Sequence, residues 1–111
     1  MMTLRGKPAS PGIATGKARI VRGLDDICNV ETGDIIVADT ITPEMSPMLL
    51  KIKGIVVEEA GLLEHACIMA REFHIPCIVN VDKCTEILKD GEVIEVDGLL
   101  GTIARRSFEK L

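Results

Sequence analysis

Aromatic side chains are almost missing from this chain: 111 residues include two phenylalanines, no tryptophan and no tyrosine. The core must therefore be aliphatic, and the stacking platforms that single-stranded nucleic acid needs are absent. Positive charge is also short. Thirteen Lys and Arg against 17 Asp and Glu leave a formal net charge of −4, which offers no footprint for a polyphosphate backbone. No apolar run approaches the roughly 20 residues that a membrane-spanning helix requires. The opening Met1-Met2-Thr3-Leu4-Arg5-Gly6-Lys7 has no apolar stretch of signal-peptide length. No two of the four cysteines form a C-x-x-C pair, so Cys28, Cys67, Cys77 and Cys84 are read as reduced thiols of a cytoplasmic protein, mostly small core hydrophobes. A zinc site from His65, Cys67, His74 and Cys77 is conceivable, but its spacing fits no familiar pattern. No metal is expected.

What is present suits one globular domain over residues 1–111, with linker only at the extreme ends: 47% of the chain is apolar and 27% charged. Residues 7–12, with two prolines and a glycine, read as a turn-rich opening. A strand is expected at 14–21, which alternates weakly and ends in Ala18-Arg19-Ile20-Val21, and further strands at 34–38, 54–58 and 75–79, short aliphatic runs rich in β-branched residues. Between the first two, 25–33 reads as an exposed connection. Thr42-Pro43-Glu44 starts a short helix reaching to Lys53, with Pro47 either within its first turn or bending it, and with Met45, Met48, Leu49 and Ile52 facing the core or, equally, a docking partner. A second helix is expected over 63–73, with Ala66, Ala70 and Phe73 on one face, and a third over 83–89. The strands 92–96 and 101–104 form a hairpin through Asp97-Gly98-Leu99-Leu100. The alternation in the middle implies parallel pairing, while the ends supply antiparallel strands. The expected class is α/β, a compact single domain with a mixed sheet and flanking short helices.

The chemically informative stretch runs from Val57-Glu58 through Ala60-Gly61-Leu62-Leu63-Glu64 to His65-Ala66. A buried strand ends, a glycine turn follows, and a histidine lands in the first turn of a helix. Amides there have no intrahelical partner, and the helix dipole favours anions over imidazolium. Both features suit a neutral nucleophile that accepts a phosphoryl group and holds its charge. Gly61 permits close approach of a bulky donor; Leu63, Glu64 and Ala66 complete the phosphate environment. Position alone leaves open a hydrogen-bonded, inert histidine at a helix start. His74 reads as a C-terminal cap or surface residue, Arg71 as structural, and Ser10 and Thr42 as turn and cap residues.

Several segments, in order along nearly the whole chain, carry a resemblance. They are Gly6-Lys7-Pro8-Ala9-Ser10-Pro11-Gly12-Ile13-Ala14-Thr15-Gly16-Lys17-Ala18, Gly33-Asp34-Ile35-Ile36-Val37-Ala38, His65-Ala66-Cys67-Ile68-Met69-Ala70-Arg71-Glu72, Ile75-Pro76-Cys77-Ile78-Val79, Asp90-Gly91 and Val96-Asp97-Gly98-Leu99-Leu100-Gly101. With them the sequence resembles the mobile, or swivelling, phosphohistidine domain of the phosphoenolpyruvate-utilising enzymes. These include pyruvate,water dikinase, pyruvate,phosphate dikinase, enzyme I of the sugar phosphotransferase system and rifampicin phosphotransferase. The resemblance implies a swivelling β/β/α fold and a phosphoryl carrier whose phosphorylated residue matches His65. It implies partners in cis or in trans: an ATP-grasp-like nucleotide-binding domain, a phosphoenolpyruvate/pyruvate barrel domain, or both. ATP or phosphoenolpyruvate and magnesium would sit on those partners, and no cofactor on this chain itself. The family usually shows Gly-Gly, one residue, then Thr-Ser-His; here Ala60-Gly61-Leu62-Leu63-Glu64 precedes His65. Leu63 removes a hydroxyl and Glu64 adds a negative charge. A non-catalytic binding or regulatory relative that keeps the fold is therefore the alternative reading.

Overall fold

The structure, a computed structural model, describes residues 3–59 and 63–106, with the side chains of 43 and 63–66 outside the description. Its elements are β1 (Thr3–Arg5), β2 (Lys7–Ser10), β3 (Ile13–Val21), a 3₁₀ helix Leu24–Asn29, β4 (Ile35–Ala38), a 3₁₀ helix Pro43–Leu50, β5 (Gly54–Val57), α1 (Leu63–Glu72), β6 (Cys77–Val79), α2 (Cys84–Ile87), β7 (Val93–Asp97) and β8 (Thr102–Arg105). The strands are ordered β1-β8-β7-β3-β4-β5-β6-β2. β3 through β6 pair in parallel, and β1, β8, β7 and β2 join antiparallel. The mixed α/β sheet expected from the alternating pattern is present.

The two ends of this order are held together by one residue. β1 and β2 are a single stretch of chain bent at Gly6: its first half pairs with β8 (Thr3↔Ala104) and its second with β6 (Lys7↔Val79). A Cβ on Gly6 would collide with the Val79 carbonyl oxygen. β3 makes the opposite corner. Residues Ile13 to Lys17 pair with β7 and Ala18 to Val21 with β4, and a Cβ on Gly16 would meet the Gly33 carbonyl. Strands that pass from one layer to the other in this way need glycine at the bend.

β4, β5 and β6 are buried at every position, the pattern of a parallel layer covered on both faces. Period-two alternation splits them cleanly. Ile36, Ala38, Ile55, Val57, Cys77 and Val79 face one cluster with Met45, Met48, Leu49, Ile52 and Ala70. Ile35, Val37, Val56 and Ile78 face the other, with Leu4, Ile94, Val96 and Ile103 from the antiparallel layer and Cys84 and Leu88 beside them. The core is aliphatic, as the shortage of aromatics requires.

Four expectations need correction. Residues 7–12 are not only turn: Lys7–Ser10 is a strand, tolerated despite Pro8 because it lies at the end of the strand order and its register shifts between Pro8 and Ser10. The connection after β3 contains a 3₁₀ helix, and Val30 behind it is buried. The segment opening at Pro43 is 3₁₀ and stops at Leu50 rather than Lys53, since an α-helical turn would drive the Pro47 ring into the carbonyl four residues back. Phe73 lies beyond α1 and is 37% exposed, so α1 packs through Ala70, Cys67 and Met69 instead.

Candidate functional site

The parallel strands β4 and β5 end side by side, and the connection leaving β5 reaches α1. Glu58 N donates to Ala38 O (3.1 Å) and Glu59 N to Asp39 O (3.3 Å), so the chains after β4 and β5 continue together for two residues. The carboxyl edge of a parallel sheet is where such folds bind ligands. α1 begins at Leu63, which makes His65 its third residue. The amides of Leu63, Glu64, His65 and Ala66 belong to the first turn and have no carbonyl four residues earlier in the helix to bond. The expected strand and first-turn histidine are therefore in place, while the expected turn at 60–62 lies outside the described residues. Gly61 lies outside the described residues, as do the side chains of Leu63, Glu64, His65 and Ala66.

Around that edge several polar groups are pinned. Glu58 Oε2 accepts from Thr85 N (2.9 Å) and Thr85 Oγ1 (2.5 Å), tying the exit of β5 to the first turn of α2. Cys84, next to it, is buried; desolvation, reinforced by the Glu58 charge, pushes its thiol up to about 12. Asp39 Oδ1 accepts from Thr40 N (2.9 Å). Thr42 occupies the N-cap position of the 3₁₀ helix Pro43–Leu50 without a side-chain cap bond. The pKa of the exposed Glu44 carboxyl is lowered, mainly by its own backbone N–H and next by the Thr42 side chain. Asp39, Thr40 and Glu58 were not singled out from sequence. Their only signal is that they are polar residues immediately following buried β-branched runs.

The far end of α1 is fixed to the sheet. Ala70 is fully buried, and Arg71 Nε donates to Ala9 O of β2 (3.0 Å), which bears out the structural role read for Arg71. Ile75 N donates to Ala70 O (3.0 Å) and His74 N to Arg71 O (3.3 Å), a Schellman closure. His74 takes the left-handed position with φ 59° and is exposed, as expected of a C-terminal cap residue. Ser10 Oγ donates to Ile75 O (2.8 Å), so it is a buried tie at the end of β2 and not the turn residue expected. Cys77 lies beneath α1; burial, with a smaller contribution from the neighbouring Cys67 thiol, pushes it up to about 12. Cys77 and Cys84 are thus core side chains, whereas Cys67 is half-buried and Cys28 exposed. Among the described residues no three His, Cys, Asp or Glu side chains are grouped as a metal would require.

Residues 30–101 match the family model of the PEP-utilising enzyme, mobile domain. The chain belongs to this family. Similar relatives are a probable phosphoenolpyruvate synthase of Archaeoglobus fulgidus, 41% identical over 107 residues, covering 96% of this chain and 14% of that protein. A rifampicin phosphotransferase of Bacillus cereus is 40% identical over 98 residues, covering 88% of this chain and 11% of that protein. This mobile domain therefore spans about one seventh or less of the curated relatives it matches. Among solved structures, the solution structure of Enzyme I is similar at a TM-score of 0.64 and 26% identity, covering 76% of this chain and 36% of that one. No helix among the described residues is long and apolar enough to cross a membrane.

Proposed function

We propose that this mobile domain carries a phosphoryl group on His65, taking it from ATP or phosphoenolpyruvate held by another domain or protein and passing it to a second site. The observation that supports this best is the place of His65, in the first turn of α1 at the carboxyl edge of the parallel layer, in a chain of this family. A ring nitrogen lone pair attacks phosphorus, an N–P bond forms, and the donor P–O bond breaks with its electron pair leaving on the donor oxygen. The free amides of the first turn and the helix dipole stabilise the negative charge that arrives. Onward transfer reverses these steps at the acceptor. Nucleotide, phosphoenolpyruvate and magnesium belong to the partner, an ATP-grasp-like domain or a phosphoenolpyruvate/pyruvate barrel in cis or trans. The setting is the cytoplasm, where four unpaired thiols stay reduced.

The Leu63-Glu64 pair ahead of His65 favours a second reading, a relative that binds or regulates without transferring. One experiment separates the two. The domain is incubated with its partner domain and ATP labelled at the β- or γ-phosphate, or with labelled phosphoenolpyruvate, and acid-labile, alkali-stable label is sought. Label on the parent chain that is lost in His65→Ala supports the carrier. If the parent takes none but Glu64→Ser does, the protein is a silenced relative.

A further inference from the structure

Thr40 Oγ1 is buried and has no hydrogen-bond partner among the described residues, although the N–H of the same residue is bonded to Asp39 Oδ1. A hydroxyl offers one donor and two acceptor sites. Leaving a buried one unpaired is destabilising, and native structures rarely do so without a reason. Thr40 stands at the candidate site's edge of the sheet. It is two residues past the end of β4, beside the point where Asp39 O receives Glu59 N. From Glu59 the chain goes on to α1. From Thr40 it goes through Thr42 into the 3₁₀ helix Pro43–Leu50, which packs against α1. The orphan hydroxyl and the first turn of α1 thus belong to neighbouring connections of the same edge.

Neither residue directly ahead of His65 carries a hydroxyl, since these are Leu63 and Glu64. We infer that Thr40 supplies the missing donor, its hydroxyl hydrogen-bonding an oxygen of the phosphoryl group carried on His65. The inference rests on the carrier reading above. A phosphoryl group brings three acceptor oxygens, and O–H···O⁻ bonds are among the stronger ones. The unpaired hydroxyl destabilises the unloaded domain and is satisfied only in the loaded one, so the difference between the two states favours loading.

Phosphoramidate tests this without a partner. An imidazole nitrogen displaces ammonia from phosphorus: the N–P bond of the reagent breaks, the ring N–P bond forms, and the ring proton leaves with the ammonia. Loading of His65 is followed by mass spectrometry, which separates it from His74, alongside thermal melting, for wild type, Thr40→Val and Thr40→Ser. Thr40→Val is expected to load His65 about five- to tenfold more slowly while melting at or above wild type, because a shape-matched apolar group replaces an unpaired hydroxyl. Thr40→Ser keeps the wild-type rate. If Thr40→Val loads at the wild-type rate, the role of Thr40 is wrong and the carrier reading stands. A Thr40→Val protein that loads slowly but melts well below wild type makes the hydroxyl structural, which also overturns the inference. If wild type loads His74 but never His65, the carrier reading itself fails.

Discussion

His74 shows how a single residue can be legible in role and costly in kind. Its place past the end of α1 marks it as a cap, and the structure gives it the left-handed backbone with φ 59° that glycine adopts without penalty. His74→Gly should therefore raise stability by about 1 kcal/mol, read as a shift of the urea midpoint at unchanged slope. At His65 the expectation has the opposite character. His65→Ala should leave melting unchanged and abolish label uptake, because no other histidine lies in this turn. Leu63→Thr or Glu64→Ser should keep or improve uptake by several-fold, about 1 kcal/mol, measured as the initial rate of labelling. The histidine was visible from sequence because a glycine turn and a helix start frame it. Thr40 was not, because a threonine after a strand looks like any loop residue until its hydroxyl is found buried and unpaired.

Elements were legible where burial alone dictates them. β4 and β5 are unbroken aliphatic runs, and such runs between helices have few alternatives to a covered parallel layer. β2 was hidden because two prolines and a glycine within 7–12 speak for turns, and only a partner strand and a register shift make Pro8 acceptable in a sheet. The 3₁₀ character of Pro43–Leu50 depends on a clash inside the helix that apolar periodicity does not report. The corner glycines were likewise invisible, since what excludes a side chain at Gly6 is a carbonyl more than 70 residues away in sequence, that of Val79. Gly6→Ala should cost about 3 kcal/mol by chemical denaturation, with the loss traced to the junction of β1 and β2 by faster amide exchange there. A melting curve indistinguishable from wild type would show that the corner has slack.

For the molecule as a whole, the buried thiols set an alkaline limit. Cys77 and Cys84 are held near 12 in the fold against 9.0 for a free thiol. The native state therefore keeps protons that the unfolded chain loses, and the stability they contribute is complete below about pH 9. It is lost as pH rises toward 12, at up to about 1.4 kcal/mol per pH unit for each thiol. Melting temperature should fall across that window, and Cys84→Ala should flatten the fall. At neutral pH a thiol reagent should modify Cys28 first and spare Cys77 and Cys84 until the domain unfolds.

The pairing of Thr3 with Ala104 places the first and last strands next to each other on one layer. In a longer polypeptide such a unit enters and leaves through a single doorway. Two tethers that share a doorway restrain position but leave orientation free, so the natural motion is a turn about that spot as one rigid piece, with the sheet closed at Gly6 resisting any bending within it. A group fixed at the carboxyl edge of the sheet then travels along an arc whose radius is set by the folded body, and two stations on that arc can be visited in turn without refolding a single strand.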